Sequence, residues 1–253
     1  MSLFGAEDVT HDGFLGGAVT ITQPKRGYRA ATDPVWLAAA TTAKAGEAVL
    51  ELGCGAGTAM ICLAHRTGAT VTGFEVQTAY ADLARQNVAQ NAIAGEVVEG
   101  DVSALPAELR ARIFDHVIFN PPYFPTDSVA AHDPGRDTAH REDTPLAVWI
   151  DTALRRIKPK GTLTLIHRTE RLDTILTELQ GRAGSIQIRP IAAREGRVAD
   201  RVLIRAVKTG RAPLALLPAI IVHAGLTHDG DRPDFTSIAD GVLRSGQPLG
   251  WEV

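Results

Sequence analysis

The chain has little with which to bind metal or to cross-link itself. It contains two cysteines, Cys54 and Cys62, in no Cys-x-x-Cys pair, and two thiols alone cannot cage a zinc ion. Its eight histidines are scattered, with no metal-ligand spacing among them. The expectation is no metal and a reducing compartment. Neither sign of charge is in large excess. The formal net charge is −3, so no global field draws the protein to nucleic acid, and such a substrate would need a local basic patch. Met1–Thr10 carries Glu7 and Asp8 and lacks the basic-then-apolar order of a secretion signal. No apolar run is long enough to span a bilayer. The longest, Ala212 to Val222, contains Pro213 and Pro218. A soluble cytoplasmic protein is expected. Internal repeats and low-complexity tracts are absent.

What is present is a regular alternation. With 253 residues, 45% of them hydrophobic, the chain suffices for one domain with additions. Ala18–Thr22 is β-rich and Pro24–Gly27 reads as a turn, so a strand pair over 14–30 is expected, with Tyr28 beginning the return. Asp33 before Pro34 reads as a helix cap followed by proline at the first helical position, for a helix to about Lys44 closed by Gly46. Strands are then predicted over 48–52, 70–75, 95–99, 115–119, 161–166, 185–191 and 201–208. Helices are predicted over 57–66, 78–90, 145–158 and 169–181. Strands separated by helices imply crossover connections, hence an α/β fold with a mostly parallel sheet covered on both faces. The solidly apolar strands agree with burial on both sides. The last two strands have no helix between them and should pair antiparallel. The organisation expected is an N-terminal hairpin and helix over 1–46, a core over 47–208 and an extension over 209–253, with a small hairpin and helix in Leu226–Asp240. Residues 124–143 have no period and are rich in charge and turn formers, the composition of a functional loop.

Glu51-Leu-Gly-Cys-Gly-Ala-Gly57 follows a predicted strand and opens a predicted helix. Glycines let the backbone bend tightly and let a ligand approach without a Cβ in the way. Dinucleotide loops share this layout but space their last two glycines three apart. Here Gly55 and Gly57 are two apart, and an acid stands two residues before Gly53. That favours a ligand with an amino-acid end. The helix N-terminus can hold its carboxylate, and Glu51 can answer its ammonium. Glu75, at the end of the second core strand, suits two ribose hydroxyls. In Gly100-Asp101-Val102, after the third, Asp101 can accept from an adenine amino group. An ordinary turn aspartate is the alternative.

Asn120-Pro121-Pro122-Tyr123, after the fourth core strand, is the most specific signal in the chain. An exocyclic or amide nitrogen is a poor nucleophile because its lone pair is delocalised. The Asn120 side-chain oxygen and the Pro121 carbonyl can accept its two hydrogens and turn the lone pair toward a sulfonium methyl. Two prolines hold these acceptors still, and Tyr123 offers a face on which a planar group stacks.

At these residues the chain resembles class I S-adenosylmethionine-dependent methyltransferases that methylate amino nitrogens. More narrowly, it is similar to the bacterial tRNA1(Val) (adenine(37)-N6)-methyltransferases. The resemblance spans roughly residues 14–208. It includes the Gly27 to Ala40 segment, the glycine loop, Glu75, Phe114-Asp115 leading into Asn-Pro-Pro-Tyr, and Arg136 to Arg141. It implies a Rossmann-like seven-stranded sheet with the last strand antiparallel. It also implies S-adenosyl-L-methionine held by Glu51, Gly53, Gly55, Gly57, Glu75, Asp101, Val102 and Asn120, and a target positioned by Asn120 to Tyr123. Thr32 and Asp33 lie in a segment that approaches the cofactor in related enzymes, although a plain helix cap suits them as well.

A tRNA partner needs cations. Between Arg182 and Arg211 eight Lys/Arg stand against Glu195 and Asp200, a patch that would make RNA binding salt-sensitive. A solvated charged face on two edge strands is the alternative. His132, Arg136, His140 and Arg141 could clamp RNA from the long loop. His65, His116, His167 and His223 have no expected chemical part. Three functions compete: adenine-N6 methylation of tRNA, glutamine-amide methylation of a peptide-release factor, and a catalytically inactive S-adenosylmethionine-binding module. The glutamine enzymes carry a helical N-terminal domain, whereas about 45 residues precede the first core strand here. A DNA adenine methylase would need a target-reading domain that is not visible. An intact Asn-Pro-Pro-Tyr speaks against the inactive module.

Overall fold

A computed structural model describes residues 4–122, 124–125, 141–142, 144–227 and 234–252. The chain opens with a hairpin of β1 (Val9–Phe14) and β2 (Val19–Pro24), paired antiparallel with Val9 opposite Pro24. The sequence located β2 but placed its partner after it. The partner precedes it, and the chain reverses over Leu15–Gly17, where Gly16 and Gly17 both adopt positive φ. Helix α1 (Asp33–Ala40) follows. It is shorter than expected, with Thr32 in the capping position and no side-chain capping bond. Gly46 turns the chain into the next strand instead of closing the helix.

The alternation then runs as its apolar periodicity dictates: β3 (Ala48–Leu52), α2 (Thr58–Thr67), β4 (Thr70–Glu75), α3 (Thr78–Gln90), β5 (Gly95–Glu99), the short α4 (Ala107–Arg110) and β6 (Phe114–Phe119). Beyond the two-residue strands β7 (Phe124–Pro125) and β8 (Arg141–Glu142) come α5 (Leu146–Arg156), β9 (Ile157–Arg168), α6 (Leu172–Leu179), β10 (Ala183–Ala192) and β11 (Arg201–Lys208). Two short strands, β12 (Ala215–Leu216) and β13 (Ile220–Ile221), precede α7 (Ser237–Ser245). A bridge between His223 and Phe235 leads into α7, so the hairpin and helix expected near Leu226–Asp240 lie slightly later.

The sheet order is β12-β10-β11-β9-β6-β3-β4-β5, with β13 also on β10. The seven long strands are parallel except β11, which pairs antiparallel with β10 and with β9. The expected antiparallel pairing of the last two long strands is therefore present. Neither is an edge strand, however. β11 is inserted between β9 and β10, and β12 and β13 cover β10. One apolar cluster joins α1, α2 and α3 to one face of the sheet. The other joins α5 and α6 to the opposite face. The C-terminal segment ties down α1: the Leu249 amide donates to the Ala39 carbonyl at 2.8 Å, and the Trp251 indole to that of Ala40 at 2.7 Å. Among the described residues no helix is long and apolar enough to cross a membrane, and no group of three His, Cys, Asp or Glu could hold a metal ion.

Candidate active site

The carboxyl ends of β3, β4, β5 and β6 meet at a cavity of about 460 Å³, within the roughly 300–1,000 Å³ range of cofactor clefts. In an open parallel sheet this is where ligands bind, because the loops leaving neighbouring strands diverge there. The glycine loop forms the floor. Gly53 has φ +65° and Gly55 φ +54°, both left-handed. An added Cβ on Gly53 would lie 2.6 Å from the Trp149 ring on α5. One on Gly55 would lie 3.6 Å from Tyr28, so the loop is sandwiched between two aromatic side chains. Gly53→Ala combines left-handed strain with overpacking, together roughly 2–4 kcal/mol. Thermal denaturation is expected to show a drop on the order of 5–10 °C.

Two carboxylates are buried at this floor. Glu51 is 4% exposed, and its Oε2 accepts the Met60 amide of α2 at 2.8 Å. Burial pushes its pKa up to about 8, and Glu75 adds to the rise. Glu75 is 6% exposed. Its Oε2 accepts from the Gly55 amide at 2.8 Å and its Oε1 from the Gln77 amide at 2.9 Å. Burial raises its pKa too, against the pull of those amides. Glu75 thus braces the glycine loop and is no solvent-exposed strand end. Neither acid has a cationic partner within ion-pair distance among the described residues. Buried unpaired carboxylates are costly, and a cationic ligand would relieve them. Burial and the carboxylates of Asp33 and Glu51 also raise the Tyr28 pKa, which keeps its hydroxyl neutral.

The other residues singled out in the sequence fall around the same space, with exceptions. Gly53, Gly55, Asp101, Val102, Asn120, Pro121 and Pro122 border the cavity. Asp101 Oδ1 accepts from the amide and the hydroxyl of Ser103, both at 2.7 Å, so it closes a turn as well as facing the cavity. Gly57 packs near Ile61 and Ala84, off the cavity wall. Thr32 is exposed and borders a neighbouring cleft toward Arg244, while the adjacent Asp33 faces the cavity and pairs with Arg201 at 3.0 Å. Tyr123, His132, Arg136 and His140 lie outside the described residues.

Trp149 and Arg168 of the wall gave no signal in the sequence, and Tyr28 and Arg201 stood there only within the Gly27 to Ala40 segment and the basic run. They come from four distant segments, and only the sheet order brings them together. Two buried polar atoms here lack partners among the described residues, Thr58 Oγ1 at the start of α2 and Trp149 Nε1. Thr58 opens a ten-residue helix, whose first amides favour an anion. The cavity therefore offers an acidic floor, a glycine cradle and an anion-favouring helix end. S-Adenosylmethionine fits that set, with a carboxylate at one end and positive charge on its ammonium and sulfonium.

The basic run of the sequence does not form one patch. Ala183 lies opposite Lys208 and Ile191 opposite Arg201, so Arg182 and Lys208 sit at the end of the sheet away from the cavity. Arg182 is paired there with Asp151 at 2.5 Å. Arg194 is drawn into a close pair with Asp234. From that run, only Arg201 reaches the cavity. Residues contiguous in the sequence separate here because each strand carries its two ends to opposite poles of the sheet.

The fold and this cavity define a class I S-adenosylmethionine-dependent methyltransferase. The chain belongs to the methyltransferase small domain family, whose model matches residues 35–183. A tRNA1(Val) (adenine(37)-N6)-methyltransferase from Bacteroides fragilis is 26% identical over 77% of each chain. One from Shewanella putrefaciens is 30% identical over 70% of this chain and 76% of its own. Among solved structures, a predicted O-methyltransferase from Agrobacterium tumefaciens superposes with a TM-score of 0.68. It is 29% identical and covers 86% of this chain and 98% of its own. The Thermus thermophilus 16S rRNA N2 G1207 methyltransferase, in complex with AdoMet and guanosine, shares the fold. Its TM-score is 0.56 at 22% identity, over 79% of this chain and 50% of its own.

Proposed function

We propose that the chain methylates the exocyclic N6 of an adenine in tRNA, at anticodon-loop position 37 of tRNA1(Val), in the cytoplasm. The observation that carries this is that Asn120-Pro121-Pro122 borders the same cavity as the glycine loop and the two buried acids. The names of the relatives supply the tRNA and the position.

Bound S-adenosylmethionine supplies an electrophilic methyl group on a sulfonium. Glu51 is assigned to its ammonium, the start of α2 with Thr58 to its carboxylate, Glu75 to the ribose hydroxyls, and Asp101 and Val102 to the adenine. The target amino group donates its two hydrogens to the Asn120 side-chain oxygen and the Pro121 carbonyl, which weakens the conjugation of the lone pair with the ring and aims it at the sulfonium methyl. Pro121 is buried and Pro122 half-buried, so both acceptors sit on stiff backbone. Tyr123 is assigned the face on which the base stacks. Catalysis is then orientation for in-line displacement, and the surplus proton leaves to water afterwards. An oxygen acceptor, as in the name of the Agrobacterium protein, would need a base to take its single proton. Asn120 and Pro121 provide two hydrogen-bond acceptors instead.

The test is incubation with labelled S-adenosylmethionine and either bulk tRNA or a peptide-release factor, followed by nucleoside mass spectrometry. N6-methyladenosine in the tRNA is expected. Label confined to the protein fraction refutes the proposal in favour of glutamine.

A further inference from the structure

Two arginines stand side by side at the rim of the cavity. Arg168 ends β9 and Arg201 begins β11, and the two are direct partners across the antiparallel ladder. Both border the cavity that Asn120 borders. β6 pairs Phe119 with Leu165 of β9, so Arg168 lies one strand over from Asn120 and about two residues further up. Neighbouring strands are about 4.8 Å apart. Like charges directly opposite in a ladder are destabilising, and packing does not demand two guanidiniums at a half-exposed strand end.

Their ion pairs offset that repulsion unevenly. Asp33, 22% exposed, holds Arg201 Nε at 3.0 Å, a pair sheltered enough to fix the side chain. Glu170 on Arg168 and Asp200 on Arg201 are 57% and 71% exposed, so water screens both pairs and they contribute little. His167, which precedes Arg168 and is fully buried, has its pKa pushed down to about 4, first by burial and then by Arg171, Arg201 and Arg168.

We infer that Arg168 and Arg201 are positioning residues that grip the phosphodiester flanking the target adenosine. This rests on the RNA assignment above and specifies how the enzyme tells a nucleotide in a strand from a free amide. An unpaired loop base can splay into the cavity and reach Asn120. Its phosphate then remains at the rim, where two guanidinium forks match the oxygens of a phosphate better than ammonium groups do. The phosphate displaces the screened Glu170 and Asp200 pairs, while Asp33 keeps Arg201 aimed.

The test uses a synthetic anticodon stem–loop whose phosphates flanking the target adenosine are replaced, one at a time, by neutral methylphosphonate. With the unsubstituted protein, one replacement should raise KM about tenfold or more. Arg168→Gln and Arg201→Gln should raise KM similarly on the normal stem–loop. They should lose most of the response to that methylphosphonate and flatten the log–log salt dependence by about 0.7 per lost contact. Their affinity for S-adenosylhomocysteine should match that of the unsubstituted protein. Arg168→Lys should restore the salt slope but only part of the KM. Because the methylphosphonate arm needs no substitution in the protein, misfolding of a variant cannot mask the answer. The inference is overturned if no methylphosphonate changes KM, or if the glutamine variants still respond to it fully. A loss of S-adenosylhomocysteine affinity in the variants would also overturn it, by assigning the arginines to the cofactor. If the unsubstituted protein methylates no adenine in the normal stem–loop, it is the RNA assignment that fails.

Discussion

Asn120→Ala is expected to lower turnover by about 10³-fold, the scale set by losing a preorganised polar contact at the reacting group. Cofactor binding should remain within about tenfold of the unsubstituted protein, because the acidic floor and the glycine cradle are untouched. Asn120 follows β6, and Pro121 and Pro122 leave its backbone few alternative conformations. Alanine keeps that backbone and removes the acceptor proposed for one amino hydrogen. The lone pair of the amino group then stays conjugated with its ring. Single-turnover kinetics with cofactor prebound separates this from a binding defect. A rate unchanged in that assay would remove Asn120 from the chemistry. Asn120→Asp should recover little, since a carboxylate replaces a neutral amide and adds a charge beside the base.

Glu51→Gln is expected to produce the second large effect, and it has two opposite signs. In the unliganded protein Glu51 has its pKa pushed up to about 8, above its unfolded value of about 4.3. Between those values the folded state holds a proton that the unfolded state has lost, so stability falls as pH rises. The decline is at most about 1.4 kcal/mol per pH unit. From pH 6 to pH 8 the unsubstituted protein should lose roughly 5–10 °C in Tm from this group. Glu51→Gln should show a flatter profile and greater stability at pH 8. His167 has a lowered pKa and titrates below this window, and Glu75, whose pKa burial also raises, is present in both proteins, so the difference between them reports Glu51 together with its coupling to Glu75. Cofactor affinity should move the other way. If Glu51 answers the ammonium, the variant should bind S-adenosylhomocysteine about 10²–10³-fold more weakly, as when one partner of a buried ion pair is lost. The unsubstituted protein should bind more tightly as pH rises from 6 toward 8, by up to tenfold per unit, and the variant should lose that dependence. Parallel calorimetric titrations and melting curves across this range check both signs. Equal affinity in the two proteins would place the ammonium elsewhere.

These outcomes depend on features of different legibility. Residues such as Gly53, Gly55, Pro121 and Pro122 act through their own backbones, so their meaning is readable wherever they stand in the chain. The bounds of β3, β4 and β5 are also readable, because local turn formers flank each of them. By contrast, Ala18–Thr22 announces a strand but not its partner. Pairing is decided by which neighbouring segment can bury its face, and the chain reverses at Leu15–Gly17 before β2 rather than after it.

The sequence by itself determined the α/β alternation, the glycine loop, the acids at positions 51 and 75, and the Asn-Pro-Pro turn after β6. All of these rest on periodicity or on chemistry within a few consecutive residues. Only the tertiary structure decided that β11 inserts between β9 and β10, and that the basic run divides between two poles of the sheet. It also decided that Trp149 closes over Gly53, and that Arg168 and Arg201 share the rim with Asn120. The reason is that burial, ionisation and charge proximity belong to assembled neighbours. Glu51 is an ordinary carboxylate until α2, Glu75 and the strands around β3 take away its water.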